Sequence, residues 1–403
     1  MEPDSTFLVV LLLVISSGLV YAAIRFRPLA AKIASGTGAL AIAAVAGMVA
    51  VNVYYGYYQT WSQLSSDFSG SYSSFTTPAR GGRTGHGANL HGRMQTVLFP
   101  GAASGISRTG YVYLPPQYFQ AKYAHVRFPV LELLHGSPGS PANWIVQINV
   151  AGIMDRLLSQ HRAGPMIVVM PAFNAGRHFG ECVDAPGAKN DTYITRDVRQ
   201  DVLAKFRASA DPAQWGIGGY SSGGYCAANL SLRHRGDFGA AGIMDGYFRP
   251  TDGPAAAALH GNRAVEAQND PLTSAADLRP GVSPLPALWL SAATGTSKYA
   301  RGAEAFVAAL HGVEAVTLVH QPGAGHNFYA WRAVIPRMLA WMWTAVAPPD
   351  LRVQFPIAGP VDRSQVVPPL SPSAASSVAP GPRPASPVAT RRSVARAVAR
   401  AHH

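Results

Sequence analysis

Two long uncharged stretches near the N-terminus restrict the fold of this chain more than any other feature of its sequence. Residues 6–24 (TFLVVLLLVISSGLVYAAI) and residues 33–54 (IASGTGALAIAAVAGMVAVNVY) contain no charged side chain. Each is about 20 residues long, the length that an α-helix needs to cross the hydrocarbon layer of a membrane. We therefore predict a two-helix transmembrane hairpin over residues 1–55.

The charges around these stretches predict how the hairpin lies in the membrane. The connecting segment carries Arg25, Arg27 and Lys32, whereas the residues ahead of the first stretch (MEPDS) are acidic. The positive-inside rule places the connecting loop in the cytoplasm, so that the rest of the chain is extracytoplasmic. A secretory signal peptide is the alternative, but it needs a positive n-region and leaves the second stretch unexplained. We expect a two-pass protein of the cell membrane, with the lipid bilayer as a partner.

The overall composition narrows the possible partners. Charged residues make up only 13% of the chain, about half the usual fraction near 25%. The net charge is +12, but the basic residues are scattered ahead of the C-terminal tail, and no basic stripe alternates with aromatic residues. We therefore expect no nucleic-acid partner. The two cysteines form neither a C-x-x-C motif nor a Cys/His cluster, and we predict no metal site.

The remaining sequence divides into three segments. Residues 56–93 are rich in Ser, Gly and Thr and are predicted to be a linker, while residues 348–403 are rich in Pro, Ala, Ser and Arg and are predicted to be disordered. That cationic tail is either solvated without a role or adheres to an anionic envelope polymer or lipid headgroups. In residues 94–347, short apolar runs alternate with amphipathic ones, which predicts a mostly parallel, doubly wound α/β sheet.

A GYSSG sequence lies between a predicted strand and a predicted helix. Its residues Gly219, Ser221 and Gly223 satisfy G-x-S-x-G, the motif of a sharp turn that exposes a serine hydroxyl at the edge of a sheet. Moving the frame by one residue to Ser222 places Tyr220 at the first glycine position. We therefore predict Ser221 as a catalytic nucleophile.

A serine hydroxyl needs a base, and the chain order Ser, acid, His suggests where to look. His326 follows a Gly-rich loop after the last predicted strand, and we predict it as the base. The acid is less clear, because the loop after the strand ALWLSAA offers no carboxylate before Glu304. Asp245 lies at the end of the preceding strand, so we predict Asp245 as the acid, with Glu304 as the alternative. A dyad without an acid is the third option.

The oxyanion of a tetrahedral intermediate needs hydrogen-bond donors. The backbone amide of Ser222, at the start of the predicted helix, is the first candidate. The second is the amide of Ser137, in the loop HGSPG after the strand VLEL. No organic cofactor is expected.

These motifs together resemble the putative-esterase family of α/β hydrolases, which includes S-formylglutathione hydrolase, feruloyl esterases and mycolyltransferases. The similarity covers about residues 94–345, through YVYLPPQY, ELLHGSPGSPANW, MIVVMP, GGYSSGGYCA and GAGHNFYAW. It is greatest to actinobacterial members with an N-terminal membrane segment. The resemblance implies an α/β-hydrolase fold, Ser221 and His326 as nucleophile and base, and Ser137 and Ser222 as oxyanion donors. The chain departs from the family at the acid, which is usually supplied after the next-to-last strand.

Cys182 and Cys226 lie in the predicted extracytoplasmic domain, where disulfides persist. We predict that they form a disulfide that holds a loop beside the nucleophile helix.

Three functions fit these features. The first is a serine carboxylesterase that acts on acyl esters through an acyl-enzyme at the outer face of the membrane. The second is an acyltransferase, similar to mycolyltransferases, that passes the acyl group to an envelope sugar or lipid. The third is a degenerate hydrolase fold that binds an envelope polymer or glycolipid without catalysis.

Overall fold

The computed structural model describes residues 1–70, 91–173, 181–185, 187–259, 261–278, 285–295, 297–311 and 316–359. Its centre is an eight-stranded sheet with the strand order β1-β2-β4-β3-β5-β6-β7-β8. Strands β1 and β2 are antiparallel to their neighbours, and the strands from β4 to β8 are parallel. The strands are β1 (Arg93–Phe99), β2 (Arg108–Leu114), β3 (Val130–Leu134), β4 (Ile167–Met170), β5 (Trp215–Tyr220), β6 (Ala240–Met244), β7 (Ala287–Ala293) and β8 (Val316–Gln321).

Helices cover both faces of this sheet, as the mostly apolar strands predict. The helices are α1 (Thr6–Arg25), α2 (Leu29–Tyr55), α3 (Trp61–Ser69), α4 (Ala142–Ile145), α5 (Val150–Ser159), α6 (Asn190–Thr192), α7 (Arg199–Lys205), α8 (Ser222–Arg233), α9 (Ala255–Leu259), α10 (Arg263–Gln268), α11 (Pro271–Ala276), α12 (Ser297–Ala309), α13 (Phe328–Val346) and α14 (Pro349–Gln354). Helices α5 and α13 contribute to the core on one face, and α7, α8 and α12 to the core on the other. The predicted doubly wound α/β fold is confirmed.

One predicted helix begins later than its apolar pattern indicates. The pattern over residues 145–161 predicts one continuous helix, but α5 begins only at Val150, and Ile145 is the last residue of the short helix α4. Asn149 has a φ of 57° and its side chain accepts a hydrogen bond from the amide of Gly152. An asparagine that takes the left-handed conformation and caps the following helix fixes the start of that helix.

The predicted linker and tail each contain a helix. Helix α3 lies within residues 56–93, of which residues 71–90 fall outside the described part. Helix α14 follows residue 347, with Leu351 buried and Phe355 packed edge-on against Trp343. The chain therefore continues to pack against the domain beyond the predicted boundary, because these two apolar side chains find partners there. The rest of the tail, residues 360–403, lies outside the described residues.

The N-terminal helices α1 and α2 are long and apolar enough to cross a membrane. They pack against each other, and the hydroxyl of Ser16 donates to the carbonyl of Ala39 across the pair at 2.9 Å. Large apolar side chains such as Phe7, Leu40 and Met48 are exposed along them. An exposed apolar surface of this kind is what a helix pair presents to lipid.

Candidate active site

The turn between β5 and α8 places Ser221 at the carboxyl edge of the sheet, where it is 9% exposed. Ser221 has a φ of 56° and a ψ of −121°, a conformation that costs an L-residue energy and is found at functional turns. Its amide donates to the carbonyl of Met244, and its carbonyl accepts the first hydrogen bond of the helix, from Tyr225. Both ends of the strained residue are thus held by backbone hydrogen bonds.

The two outer glycines of the motif are required by close packing. A Cβ on Gly223 would lie 2.1 Å from the carbonyl oxygen of Leu134, and a Cβ on Gly219 would lie 2.4 Å from the carbonyl carbon of Gly223. Any larger residue at either position would push the turn away from the end of β3. This is the physical reason for the G-x-S-x-G spacing around Ser221.

His326 reaches the serine from the loop between β8 and α13. Its Nε2 lies 2.9 Å from the Oγ of Ser221, within hydrogen-bond distance. Burial, with a smaller contribution from the nearby Lys298, lowers the pKa of His326 to about 4. The imidazole is therefore neutral at pH 7, and its Nε2 is available to take the serine proton.

Two aromatic rings hold the plane of this imidazole. Tyr299 stacks on His326 with a centroid separation of 3.9 Å and an interplanar angle of 5°. Trp331 meets it edge-on at 5.0 Å. Sequence analysis did not select either residue. Trp331 could have been found from its position in the sequence, because it lies one turn into the helix that follows His326.

Asp245 lies in the same corner of the site but bonds to other groups. It is buried at the end of β6, where its Oδ1 accepts from the amide of Ala293 at 2.7 Å and its Oδ2 accepts from Nε1 of Trp331 at 2.9 Å. The Nδ1 of His326 is buried and has no hydrogen-bond partner among the described residues. Asp245 therefore does not accept the hydrogen bond from Nδ1 of His326 that the role of a triad acid requires. The carboxylate instead holds Trp331, whose ring contacts His326.

The alternative acid points to a different partner. Glu304 lies on α12, and its Oε1 is 3.3 Å from Nε2 of His320. The Glu304 side chain is 55% exposed, so this ion pair lies at the surface. Glu304 is thus paired with the histidine of β8 rather than with His326.

The segment after β3 borders the nucleophile, as the oxyanion prediction requires. A Cβ on Gly136 would lie 3.4 Å from the Cβ of Ser221. The carbonyl of Gly136 lies 2.8 Å from Nδ1 of the buried His135. In a trans peptide the N–H points opposite to the C=O, so the amide of Ser137 points away from this imidazole. The amide of Ser222 is in the first turn of α8, where helix amides have no partner within the helix.

A family model described as Putative esterase matches residues 101–342, more than half of the chain. The chain belongs to this esterase family. The resemblance inferred from its motifs is thereby confirmed.

Two curated relatives of this chain match over part of their own length. An uncharacterized protein of Corynebacterium glutamicum is 25% identical over 253 residues, which cover 59% of this chain and 57% of that protein. An endo-1,4-beta-xylanase/feruloyl esterase of Xylanibacter ruminicola is 30% identical over 158 residues, which cover 39% of this chain and 22% of that protein. The chain thus spans just over half of the first relative and about a fifth of the second.

Solved structures share the fold of this protein. A ferulic acid esterase matches with a TM-score of 0.54 and 22% identity, over 64% of this chain and 99% of that one. An S-formylglutathione hydrolase from Agrobacterium tumefaciens matches with a TM-score of 0.54 and 19% identity, over 65% of this chain and 98% of that one.

The protein has a disulfide beside helix α8. Cys182 and Cys226 are bonded, with their Cα atoms 5.6 Å apart, and Cys226 lies on α8. The predicted pairing is confirmed.

Next to the disulfide, the hydroxyl of Tyr247 donates to the buried carboxylate of Glu181 and lies 3.2 Å from Oγ of Ser222. Burial raises the pKa of Glu181 to about 7. The disulfide and the contacts of Tyr247 together hold the first turns of α8. The sequence predicts the disulfide but not the contacts of Tyr247.

A small cleft opens beside the ring of Tyr299. Its volume is about 90 Å³, well below the roughly 300–1,000 Å³ of typical small-molecule pockets. Tyr299, which stacks on His326, forms part of its wall. The other lining residues include Tyr247, Phe248, Leu272, Lys298 and Gly302.

Proposed function

We propose that this protein is a serine carboxylesterase that cleaves acyl esters through an acyl-enzyme on Ser221. The observation that carries this proposal is the 2.9 Å contact between Oγ of Ser221 and Nε2 of a neutral His326, at a strained turn. Membership of the esterase family and the names of the relatives, two of which refer to ferulic or feruloyl esterases, support the reaction class.

The geometry supports a two-step reaction. The Oγ of Ser221 attacks the ester carbonyl carbon while its proton passes to Nε2 of His326. The amides of Ser222 and Ser137 donate to the oxyanion. Collapse of the tetrahedral intermediate breaks the bond to the alkoxide, which takes the proton from His326 and leaves as an alcohol. Water then attacks the acyl-enzyme, again giving its proton to His326, and the acid leaves as Ser221 recovers its proton.

Labelling with a fluorophosphonate probe tests the proposal directly, because such probes react quickly only with an activated serine. We expect stoichiometric phosphonylation of the peptide that contains Ser221 and loss of p-nitrophenyl acetate hydrolysis in the same proportion. A folded protein that remains unlabelled would instead support the degenerate binding module.

The position of Asp245 predicts a smaller role than that of a triad acid. Asp245→Asn is expected to lower kcat by about tenfold to a hundredfold, because Trp331 loses its charged hydrogen-bond acceptor while the contact between Ser221 and His326 remains. Loss of an acid bonded directly to the imidazole costs about ten-thousandfold. The matched control is Glu304→Gln, which we expect to leave kcat within twofold. The measurements are kcat for p-nitrophenyl acetate and the rate of fluorophosphonate labelling.

A ten-thousandfold loss in Asp245→Asn at an unchanged melting temperature would overturn this assignment. It would show that the carboxylate turns to His326 during the reaction.

Activity is expected to fall in two steps as the pH is lowered. Burial raises the pKa of Asp245 to about 7, so below that pH the carboxyl becomes neutral and resembles the amide of Asp245→Asn. The second step lies at about pH 4, where His326 takes up a proton and ceases to act as a base. A profile of kcat/KM between pH 3 and 9 checks both. The step at about 7 should be absent from Asp245→Asn, and a single step at about 6.5 would contradict the burial of His326.

The proposal also places the enzyme at the outer face of a membrane, anchored by α1 and α2. The segment with Arg25, Arg27 and Lys32 lies at the end of the hairpin where the two helices connect, and the opposite end contacts the catalytic domain. The positive-inside rule then puts the catalytic domain outside. External protease that leaves this domain intact on whole cells, but degrades it after lysis, would contradict the orientation.

A further inference from the structure

The end of the membrane hairpin is bonded to the start of the helix that follows the catalytic histidine. The guanidinium of Arg332 donates to the carbonyl of Gly56 at 2.8 Å and to that of Tyr57 at 3.3 Å. The side-chain amide of Asn327 donates to the carbonyl of Tyr54 at 3.2 Å. Burial lowers the pKa of Arg332 to about 10, which leaves it charged at neutral pH. We call this set of contacts the anchor joint.

The residues ahead of the first helix meet the same joint. The hydroxyl of Tyr329 donates to Oδ2 of Asp4 at 3.3 Å, and the side chain of Asn52 donates to the carbonyl of Pro3 at 2.9 Å. Gly56 has a φ of 65°, and a Cβ there would lie 2.6 Å from the ring of Tyr329. The hairpin is therefore bonded to the domain both ahead of its first helix and after its second helix, rather than attached by a free linker.

The joint lies next to the reacting groups. Asn327 directly follows His326 in the chain. Trp331, whose ring meets that of His326 edge-on, directly precedes Arg332 in the chain. The joint is thus one residue away from the imidazole at Asn327, and one residue away from a ring that contacts the imidazole at Arg332.

A row of aromatic rings connects the joint to the nucleophile. Tyr57 contacts Phe328 with centroids 5.1 Å apart, and Phe328 contacts Tyr220 at 5.6 Å. Tyr220 immediately precedes Ser221. Because packed rings of this kind are rigid, the depth of the hairpin in a membrane fixes the depth of the hydroxyl.

The outer end of the hairpin has the composition of a membrane interface. Tyr54, Tyr55 and Trp61 are 65%, 40% and 49% exposed there. Tyrosine and tryptophan are enriched at the depth of lipid headgroups. The joint therefore places Ser221 and His326 near headgroup depth, where the ester bonds of lipids lie.

We propose that the active site takes its acyl ester from the bilayer itself. The substrate class is a membrane amphiphile whose ester lies at headgroup depth and whose acyl chain stays largely in the lipid. A lipid ester in the same membrane is present at a far higher effective concentration than a solute. This inference rests on the proposed esterase function.

The test uses the full chain reconstituted in phosphatidylcholine vesicles. 4-Methylumbelliferyl palmitate in the same bilayer is the lipid ester, and 4-methylumbelliferyl acetate in the buffer is the soluble ester. Gly56→Val opens the joint from the hairpin side, because its side chain meets the ring of Tyr329. Gly70→Val is the matched control, since Gly70 also has a positive φ, of 61°, but a Cβ there meets no atom of the described residues within 4 Å.

We expect Gly56→Val to lower palmitate hydrolysis at least about tenfold while acetate hydrolysis stays within twofold, and Gly70→Val to change neither. Equal losses of both activities in Gly56→Val, or no loss of palmitate hydrolysis, overturn the inference but leave the esterase function intact. Hydrolysis of neither ester by the wild-type protein overturns the esterase function instead.

A depth measurement on the wild-type protein keeps the inference testable if Gly56→Val does not fold. A fluorescent phosphonate attached to Ser221 should be quenched strongly by lipids with a nitroxide on the headgroup and weakly by a nitroxide in water. Equal quenching by the two would show that the site lies away from the bilayer, and would overturn the inference.

Discussion

Replacing Ser221 with Ala is expected to lower kcat for p-nitrophenyl acetate by at least about a thousandfold. The variant keeps the oxyanion donors and the imidazole but loses the atom that forms the acyl-enzyme. In serine hydrolases, loss of the nucleophile leaves only the residual catalysis of binding and the oxyanion hole. Discontinuous or continuous steady-state assays over a wide range of enzyme concentration measure this decrease in kcat.

The neighbouring Ser222→Ala is the matched control for this loss. Its backbone amide remains in place, and the Oγ contacts with Tyr247 and Glu181 are removed. We expect a decrease of no more than about tenfold. If the losses were reversed between the two serines, the frame of the motif would have to be shifted by one residue.

Removing the disulfide is expected to have the largest effect on stability. Cys182 and Cys226 are 44 residues apart in the chain, and closing a loop of that size restricts the unfolded chain by about 4 kcal/mol. Replacing both with Ala should therefore lower the melting temperature of this domain by roughly 8–16 °C. Calorimetry or circular dichroism of the detergent-solubilised protein measures the shift.

Dithiothreitol supplies the control for the disulfide. It should lower the melting temperature of the wild-type protein to that of the double variant and leave the double variant unchanged. A wild-type protein whose melting temperature is the same with and without the reductant would contradict the stabilising role.

The fold could be predicted because the sequence patterns that indicate it lie within short segments of the chain. Apolar runs without alternation indicate strands covered on both faces, and the glycines around Ser221 indicate a turn that excludes side chains. The order of Ser221 and His326 along the chain then placed both at the same edge of a parallel sheet. Cys182 and Cys226 could be paired because the chain has no other cysteine.

The acid could not be assigned from the sequence, because its bonding depends on distances of a few tenths of an ångström. Asp245 is in the predicted corner, but the indole of Trp331 and the amide of Ala293 take its two oxygens. The strand order shows at which edge of the sheet a carboxylate lies, but not which groups donate hydrogen bonds to its oxygens.

The anchor joint could not be predicted for a different reason. Asn327 and Tyr54 are 273 positions apart, and neither has a pattern that indicates the other. The sequence shows that residues 54–61 are rich in aromatic side chains and that a helix follows His326. Only the packed structure shows that Arg332 and Tyr329, on that helix, contact the end of the hairpin.

Helix α13 contacts three parts of the molecule at once. Its first residues follow His326, its second turn bonds the hairpin, and Met338 and Met342 belong to the buried core against the sheet. Random mutagenesis of this helix would therefore yield variants with several defects at once. By contrast, Phe248 and Leu272 line the cleft from other segments. A library of variants at those two positions leaves the contacts of α13 unchanged.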